Sequence, residues 1–222
     1  MGRVAIDFCT DHHLYPMREK IVQNIRPLSD VTGVEASTSP APVGDHDLNA
    51  SGRARSPLTP AAVLVPLVVR PGGLQVLLTQ RTDHLHDHAG QVSFPGGRRE
   101  HHDTSSVETA LRETREEIGL AEEFIEVVGL LDDYETGTGF RVTPVVGFVS
   151  EGFTLALDSF EVAEVFEVPL AYLFDPANHQ TRSREIAGKR RKYYLFEYQD
   201  RVIWGATAGM LMNLYRRASG GS

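Results

Sequence analysis

Cysteine is almost absent from this 222-residue chain. Cys9 stands alone, so no intrachain disulfide can form, and a reducing, cytoplasmic setting is expected. His12 and His13 lie near Cys9 in no recognisable active-site context, which gives the thiol no catalytic reading. Long apolar runs are missing too. No stretch approaches the roughly 18 residues that a membrane-spanning helix needs, and the N-terminal segment holds no apolar signal core, so a soluble protein with no membrane partner is expected. Basic charge is in deficit: 22 Lys and Arg stand against 30 Asp and Glu, for a net charge of −8. That argues against a general nucleic-acid binder, which needs a basic face to offset phosphate. It leaves room for a small anionic substrate bridged by a metal. There is no internal repeat. With 41% hydrophobic residues the chain can bury one core, so one domain with appendages is expected.

Composition divides the chain near residue 56. Residues 1–56 read as an N-terminal arm, with a short helix over Met17–Ile25 that Pro27 stops. In that helix Met17, Ile21, Val22 and Ile25 share one side. Gly33–Ser56 is rich in Ser, Thr, Pro, Gly, Ala and Asp and reads as a flexible linker. Residues 57–222 read as the folded domain. Ala61–Val69 is a strand in which Pro66 implies an edge or a bulge, and Leu74–Thr79 returns to pair with it. A polar, histidine-rich stretch, Gln80–Ser93, leads into the Pro95-Gly96-Gly97 turn. A helix follows from Ser105 or Ser106 to Ile118. Phe124–Leu131 is the next strand, then Phe140–Val149, with Pro144 again marking a bulge or an edge. Glu161–Val168 is strand-like, Leu170–Phe174 a short helix, and Tyr193–Tyr198 with Val202–Trp204 a hairpin. Ala206–Arg217 closes the chain as a helix. Helices sitting between groups of strands fit an α+β sandwich better than a doubly wound sheet.

The helix ending at Ile118 carries the chemistry. Glu113, Glu116 and Glu117 stand at i, i+3 and i+4 and project from one face. Such a cluster either faces water or is neutralised by a cation, and hard divalent ions take carboxylate oxygens together with substrate phosphates. Gly119 followed by Leu120 supplies a helix stop, and Gly96-Gly97 sets bare backbone beside the acids. Arg112 can pair with Glu108 and Glu116, which suits it to orienting the acids.

The run Arg112-Glu113-x-x-Glu116-Glu117-x-Gly119-Leu120, preceded by the Gly-Gly turn, resembles the signature of the Nudix hydrolases. Two positions depart from the general pattern. Asp103 follows Gly97 after five residues, and eight residues, one more than usual, separate it from Arg112; Thr114 stands where an aliphatic residue is usual. The extra residue is similar to the coenzyme A pyrophosphatase subgroup. So is the upstream run Leu77-Leu78-Thr79-Gln80-Arg81, then Gly90, then Phe94-Pro95-Gly96-Gly97, although Thr82 replaces serine or alanine and His86 replaces arginine. Further matches lie in Phe140–Val146, Glu161–Leu170 and Ile203–Ala208, so that the resemblance spans about Pro60 to Arg217.

The resemblance implies a Nudix-like α/β/α sandwich with a mixed central sheet and the acidic helix packed on it. It implies a pyrophosphohydrolase that uses Mg2+ or Mn2+ and cleaves coenzyme A or its thioesters to 3′,5′-ADP and (acyl-)4′-phosphopantetheine. Glu113, Glu116 and Glu117, with the Gly97 carbonyl, are the expected metal ligands. Glu113, Glu116 and Glu164 are the expected catalytic acids, with Glu161 weighed beside Glu164. Arg81, His86, Gly96, Gly97 and Phe140 are the expected substrate contacts, and Trp204 is a second aromatic candidate for stacking on adenine. Lys189-Arg190-Arg191-Lys192 is open between a 3′-phosphate contact and a solvated hairpin. The alternating His84, His86 and His88 invite a transition metal, but hard oxygen ligands already account for one. Two other functions stay open: a pyrophosphatase for ADP-ribose, a dinucleoside polyphosphate or NADH, which His86 favours, and a non-catalytic nucleotide sensor. The partner expected is a small nucleotide, and a homodimer is open.

Overall fold

The computed structural model describes residues 15–31, 42–49, 57–84, 90–186 and 188–220. In chain order the helices are α1 (Tyr15–Asn24), α2 (Ser106–Ile118), α3 (Leu170–Phe174) and α4 (Gly205–Ala218). The strands are β1 (Val43–Gly44), β2 (Thr59–Arg70), β3 (Gly73–Arg81), β4 (Val92–Ser93), β5 (Gly96–Arg98), β6 (Ile125–Leu130), β7 (Tyr134–Glu135), β8 (Phe140–Val149), β9 (Val162–Pro169), β10 (Gln180–Ile186), β11 (Lys189–Tyr198) and β12 (Arg201–Trp204). The main sheet runs β1-β7-β8-β2-β3-β4, with β5 on β2, β6 on β8 and β9 on β3. It is mixed: β2 and β8 are parallel, whereas β2–β3, β3–β9 and β6–β8 are antiparallel. A second, antiparallel sheet, β10-β11-β12, holds the expected hairpin.

The centre of the sheet is buried on both faces, which is why β2 reads as an almost continuous apolar run. Period-two alternation still sorts its side chains. Ala62, Leu64 and Val68 lie beneath α2 with Ala110 and Ile118, while Val65 and Leu67 join the larger core that α1 and α4 cover. Helices therefore flank a mixed sheet on both sides, as expected of the sandwich.

The two prolines are not at an edge, contrary to one expectation from sequence. Pro66 lies in central β2. On the side of its antiparallel neighbours, pairing with β5 stops at Val63 and pairing with β3 resumes at Leu67, so the missing N–H falls in a gap between two partners. Pro144 in β8 repeats the device, between pairing to β7 at Val142 and to β6 at Val145.

The helix expected in the arm is present and belongs to the larger core, where Ile21 is fully buried. Arg18 Nη2 donates to both carboxylate oxygens of Glu126, at 2.7 and 2.6 Å, and its guanidinium covers the Phe148 ring. Within the stretch expected as a linker, residues 42–49 are docked. Val43 and Gly44 pair with β7, Asp45 accepts from Tyr134 and from the Gly137 N–H, and Asn49 grips the Lys192 backbone by both its N–H and its carbonyl. These anchors are polar, so apolar patterning gives no sign of them. Residues 32–41 and 50–56 lie outside the described residues. Among the described residues no helix is long and apolar enough to cross a membrane.

Candidate active site

Helix α2 starts and stops where its local chemistry dictates. The Ser105 hydroxyl oxygen accepts the Glu108 N–H at 3.1 Å, and Gly119, in the left-handed conformation at φ 69°, donates its N–H to the Arg115 carbonyl. Thr114, at the position where an aliphatic residue was expected, is buried and returns its hydroxyl to the Ala110 carbonyl at 2.6 Å, so its polarity costs little in the packed face.

The three acids share a face but not a depth. The Glu117 side chain is 8% exposed, Glu113 18% and Glu116 60%. Glu117 is tucked against β5, where the Gly96 N–H donates to its Oε2 at 3.3 Å. Glu113 lies across Gly97: a Cβ there would stand 2.5 Å from the Glu113 carboxylate. Gly96 has φ 152°, and a Cβ on it would strike the Ala62 carbonyl at 2.4 Å. Both glycines are thus required by the close approach of β2, β5 and α2.

A fourth acid joins them. Glu161, just before β9, has its Oε2 3.7 Å from Arg81 Nη1, and the same Arg81 atom is 4.0 Å from Glu117 Oε1. Burial pushes the Glu117 carboxyl up to about 8; the Gly96 N–H and Arg81 pull it down, while Glu113 and Glu161 push it further up. Glu113 is also raised, by burial first; Arg112 opposes the shift and Glu116 and Glu161 reinforce it. Arg81 only part-neutralises the cluster, and its buried Nε finds no hydrogen-bond partner among the described residues.

On the flank, Arg112 clamps the helix to the preceding loop. Its Nε and Nη2 grip both oxygens of buried Asp103 at 3.0 and 2.9 Å, Nη2 also donates to the Arg98 carbonyl, and Nη1 lies 2.9 Å from Glu113 and 3.1 Å from Glu116. Asp103 accepts as well from the Glu100 N–H and the Thr109 hydroxyl. The Arg112 guanidinium, ahead of those two donors, holds the Asp103 carboxyl well below the usual carboxylate range. A cavity of about 660 Å³ opens on this flank, lined by Asp103, Val107, Leu111, Arg112, Arg115 and Glu122 among others. Glu116 lines it too, whereas Gly96, Gly97, Glu113 and Glu117 do not.

Of the residues expected from sequence, Arg81, Gly96, Gly97, Glu113 and Glu117 come together, with Glu116 at the exposed border. Phe140 opens β8 with the Arg98 guanidinium 5.2 Å from its ring centre. His86 lies outside the described residues, as does His88. Glu164 is not in the cluster. Its carboxylate is held by Arg201, which also covers Phe166, and Phe166 packs on the larger core away from α2. The reason is alternation along β9: Glu164 shares a face with Phe166 and Val168, which pack on the larger core, whereas Val165 on the other face packs beneath α2; a bulge at Ala163 then brings Val162 to the α2 side. Glu161, which sequence reasoning weighed but did not select, is the acid that meets the helix. The four carboxylates offer only hard oxygen donors, at a place where like charges converge with too little positive charge. Such a set suits a divalent cation of the Mg2+ or Mn2+ type.

A family model described as the NUDIX domain matches residues 58–187. A protein of Yersinia enterocolitica serotype O:8 / biotype 1B, called an uncharacterized Nudix hydrolase NudL, is 40% identical over 159 residues, covering 72% of this chain and 81% of its own. One of the same name from Escherichia coli O7:K1 is 41% identical over 155 residues, 69% of this chain and 80% of the relative. Among solved structures, the Nudix hydrolase RenU from M. smegmatis aligns with a TM-score of 0.45 and 27% identity over 53% of this chain and 74% of that one.

Proposed function

The chain belongs to the Nudix hydrolases, pyrophosphohydrolases of small nucleotide derivatives that generally need a divalent metal, and from that premise we propose that its substrate is coenzyme A or a coenzyme A thioester. Water cleaves the diphosphate, giving 3′,5′-ADP and (acyl-)4′-phosphopantetheine. The observation that carries the hydrolytic reading is the packing of Glu113 and Glu117 on the Gly96-Gly97 backbone, with Arg81 set between Glu117 and Glu161. The run from Leu77 to Gly97, with the extra residue between Asp103 and Arg112, supports coenzyme A.

Glu113, Glu117 and Glu161, with the Gly97 carbonyl beside them, are the residues to hold Mg2+ or Mn2+, and Glu116 borders them. When bound, the ion neutralises charge on the diphosphate and acidifies a water. Arg81 donates to a diphosphate oxygen, the task its orphaned Nε and poorly matched carboxylates leave open to it. The attacking water forms a new P–O bond as the anhydride P–O bond breaks. Its proton passes to an accessible carboxylate, and Glu116 and Glu161, the two most exposed of the cluster, are placed for that. Arg112 holds Glu113 and Glu116 in position, and we assign Glu164 no proton-transfer role. His86, in place of an arginine, favours the second reading: another nucleoside diphosphate derivative such as ADP-ribose, a dinucleoside polyphosphate or NADH.

Product analysis with coenzyme A, ADP-ribose and NADH, each with Mg2+ and with Mn2+, separates the two. Release of 3′,5′-ADP far faster than AMP from the other substrates is expected. Failure to cleave coenzyme A alongside turnover of ADP-ribose or NADH would replace the first reading with the second.

A further inference from the structure

Phe160 is 64% exposed, against 38–44% for Val22, Leu28, Leu157 and Val202, the other exposed large apolar side chains among the described residues. Isolated apolar groups in water are ordinary. Its fixing and its place set Phe160 apart. Its N–H donates to Asp158 Oδ1 at 2.9 Å, and its carbonyl accepts from the Thr82 hydroxyl at 2.7 Å. The turn is closed again behind it, where the N–H groups of Glu161 and Val162 both donate to the Asp158 carbonyl and the Thr82 N–H donates to the Glu161 carbonyl. The ring is therefore carried on backbone held from both sides. The next residue is Glu161, whose carboxylate faces Arg81 and adds to the charge on Glu113 and Glu117. On the facing loop, His84 meets the Phe160 ring at 5.0 Å and 59°, close enough to brace it but too tilted to cover it.

A rigid aromatic ring kept in water at the border of a diphosphate site is poised for a flat, apolar partner. The nucleobase is the one such group common to the substrates considered for this site. We propose that Phe160, braced by His84, is the surface on which the base of the substrate stacks. The proposal rests on the reading of Glu113, Glu117, Glu161 and Arg81 as a diphosphate site, and not on the choice of coenzyme A.

The test measures binding of ADP and of inorganic pyrophosphate, with Mg2+, to the full chain and its variants. Phe160→Ala should weaken ADP about tenfold while pyrophosphate changes by less than about twofold, because base–aromatic stacking is lost and phosphate contacts are kept. Phe160→Trp should keep ADP within about twofold of wild type, with fluorescence above the Trp204 background that ADP quenches and pyrophosphate does not. His84→Ala should show the smaller ADP loss. If wild type binds both probes but Phe160→Ala loses neither, or loses both alike, the stacking proposal alone is overturned. If wild type binds neither probe, the diphosphate reading falls and takes this proposal with it.

Discussion

Asp103 and Glu117 are both buried carboxylates, one just before α2 and one in its last turn, and their surroundings differ in kind. Asp103 is fully served: a two-pronged guanidinium, a backbone N–H and a hydroxyl satisfy it, and its proton affinity falls. Glu117 has one backbone N–H at 3.3 Å and an arginine at 4.0 Å, faces two further acids, sits at the unfavourable end of the helix dipole, and has its proton affinity raised to about 8. A carboxylate placed for stability resembles the first. The second is kept at a cost, which a divalent cation would offset if it bound there as proposed.

The sharpest way to break that contrast is to neutralise each acid in turn. Glu117→Gln should lower kcat/KM about 10³-fold, since an electrostatic anchor of the reacting diphosphate goes. Metal-free Glu117→Gln should unfold no more easily than wild type, because above about pH 8 an uncompensated buried charge is removed and below it a neutral amide replaces a neutral acid. Asp103→Asn should do the reverse. It strands Arg112, and a denaturant titration should show a loss of about 3 kcal/mol, with a smaller fall in kcat/KM than Glu117→Gln gives.

Two of the acids near β9 extend the same logic. Glu161→Gln should cost at least about tenfold more in kcat than Glu164→Gln, because Glu164 answers to Arg201 and not to the helix. An equal loss in both variants would put Glu164 back in the catalytic machinery.

The smallest effect is in pH dependence, and the signs oppose. Glu117 has a raised folded value, so the metal-free fold binds extra protons and its stability declines as pH rises from about 4.3 towards 8. Asp103 has a depressed one, so its contribution is present above about pH 4 and is lost as pH falls through its lower folded value. Saturating Mn2+ should therefore raise Tm by several degrees at pH 8, on the order of 2–4 °C per kcal/mol, and by clearly less at pH 5. A metal effect independent of pH would dissolve the contrast.

Much of this was legible in the sequence, and the gaps have definite causes. The i, i+3, i+4 spacing of Glu113, Glu116 and Glu117 gave a common face, but spacing carries no depth, so it did not separate buried Glu117 from exposed Glu116. Glu164 shares a face with Phe166 and Val168 by plain alternation, but which face of β9 turns towards α2 is a fact of tertiary packing that spacing alone does not carry. Pro66 and Pro144 pointed to an edge or a bulge because a proline's tolerance depends on which neighbour strand has ended, a fact of tertiary pairing. Residues 42–49 dock through Asp45 and Asn49, side chains that composition reads as linker.

Direct binding of Mn2+ to wild type, Glu117→Gln and Asp103→Asn, at a temperature where all three are folded, tests most directly whether the acids at the end of α2 are held for a cation. Glu117→Gln is expected to bind Mn2+ at least about tenfold more weakly and Asp103→Asn close to wild type. Mn2+ affinity left unchanged by Glu117→Gln, or lost equally in both variants, would contradict it.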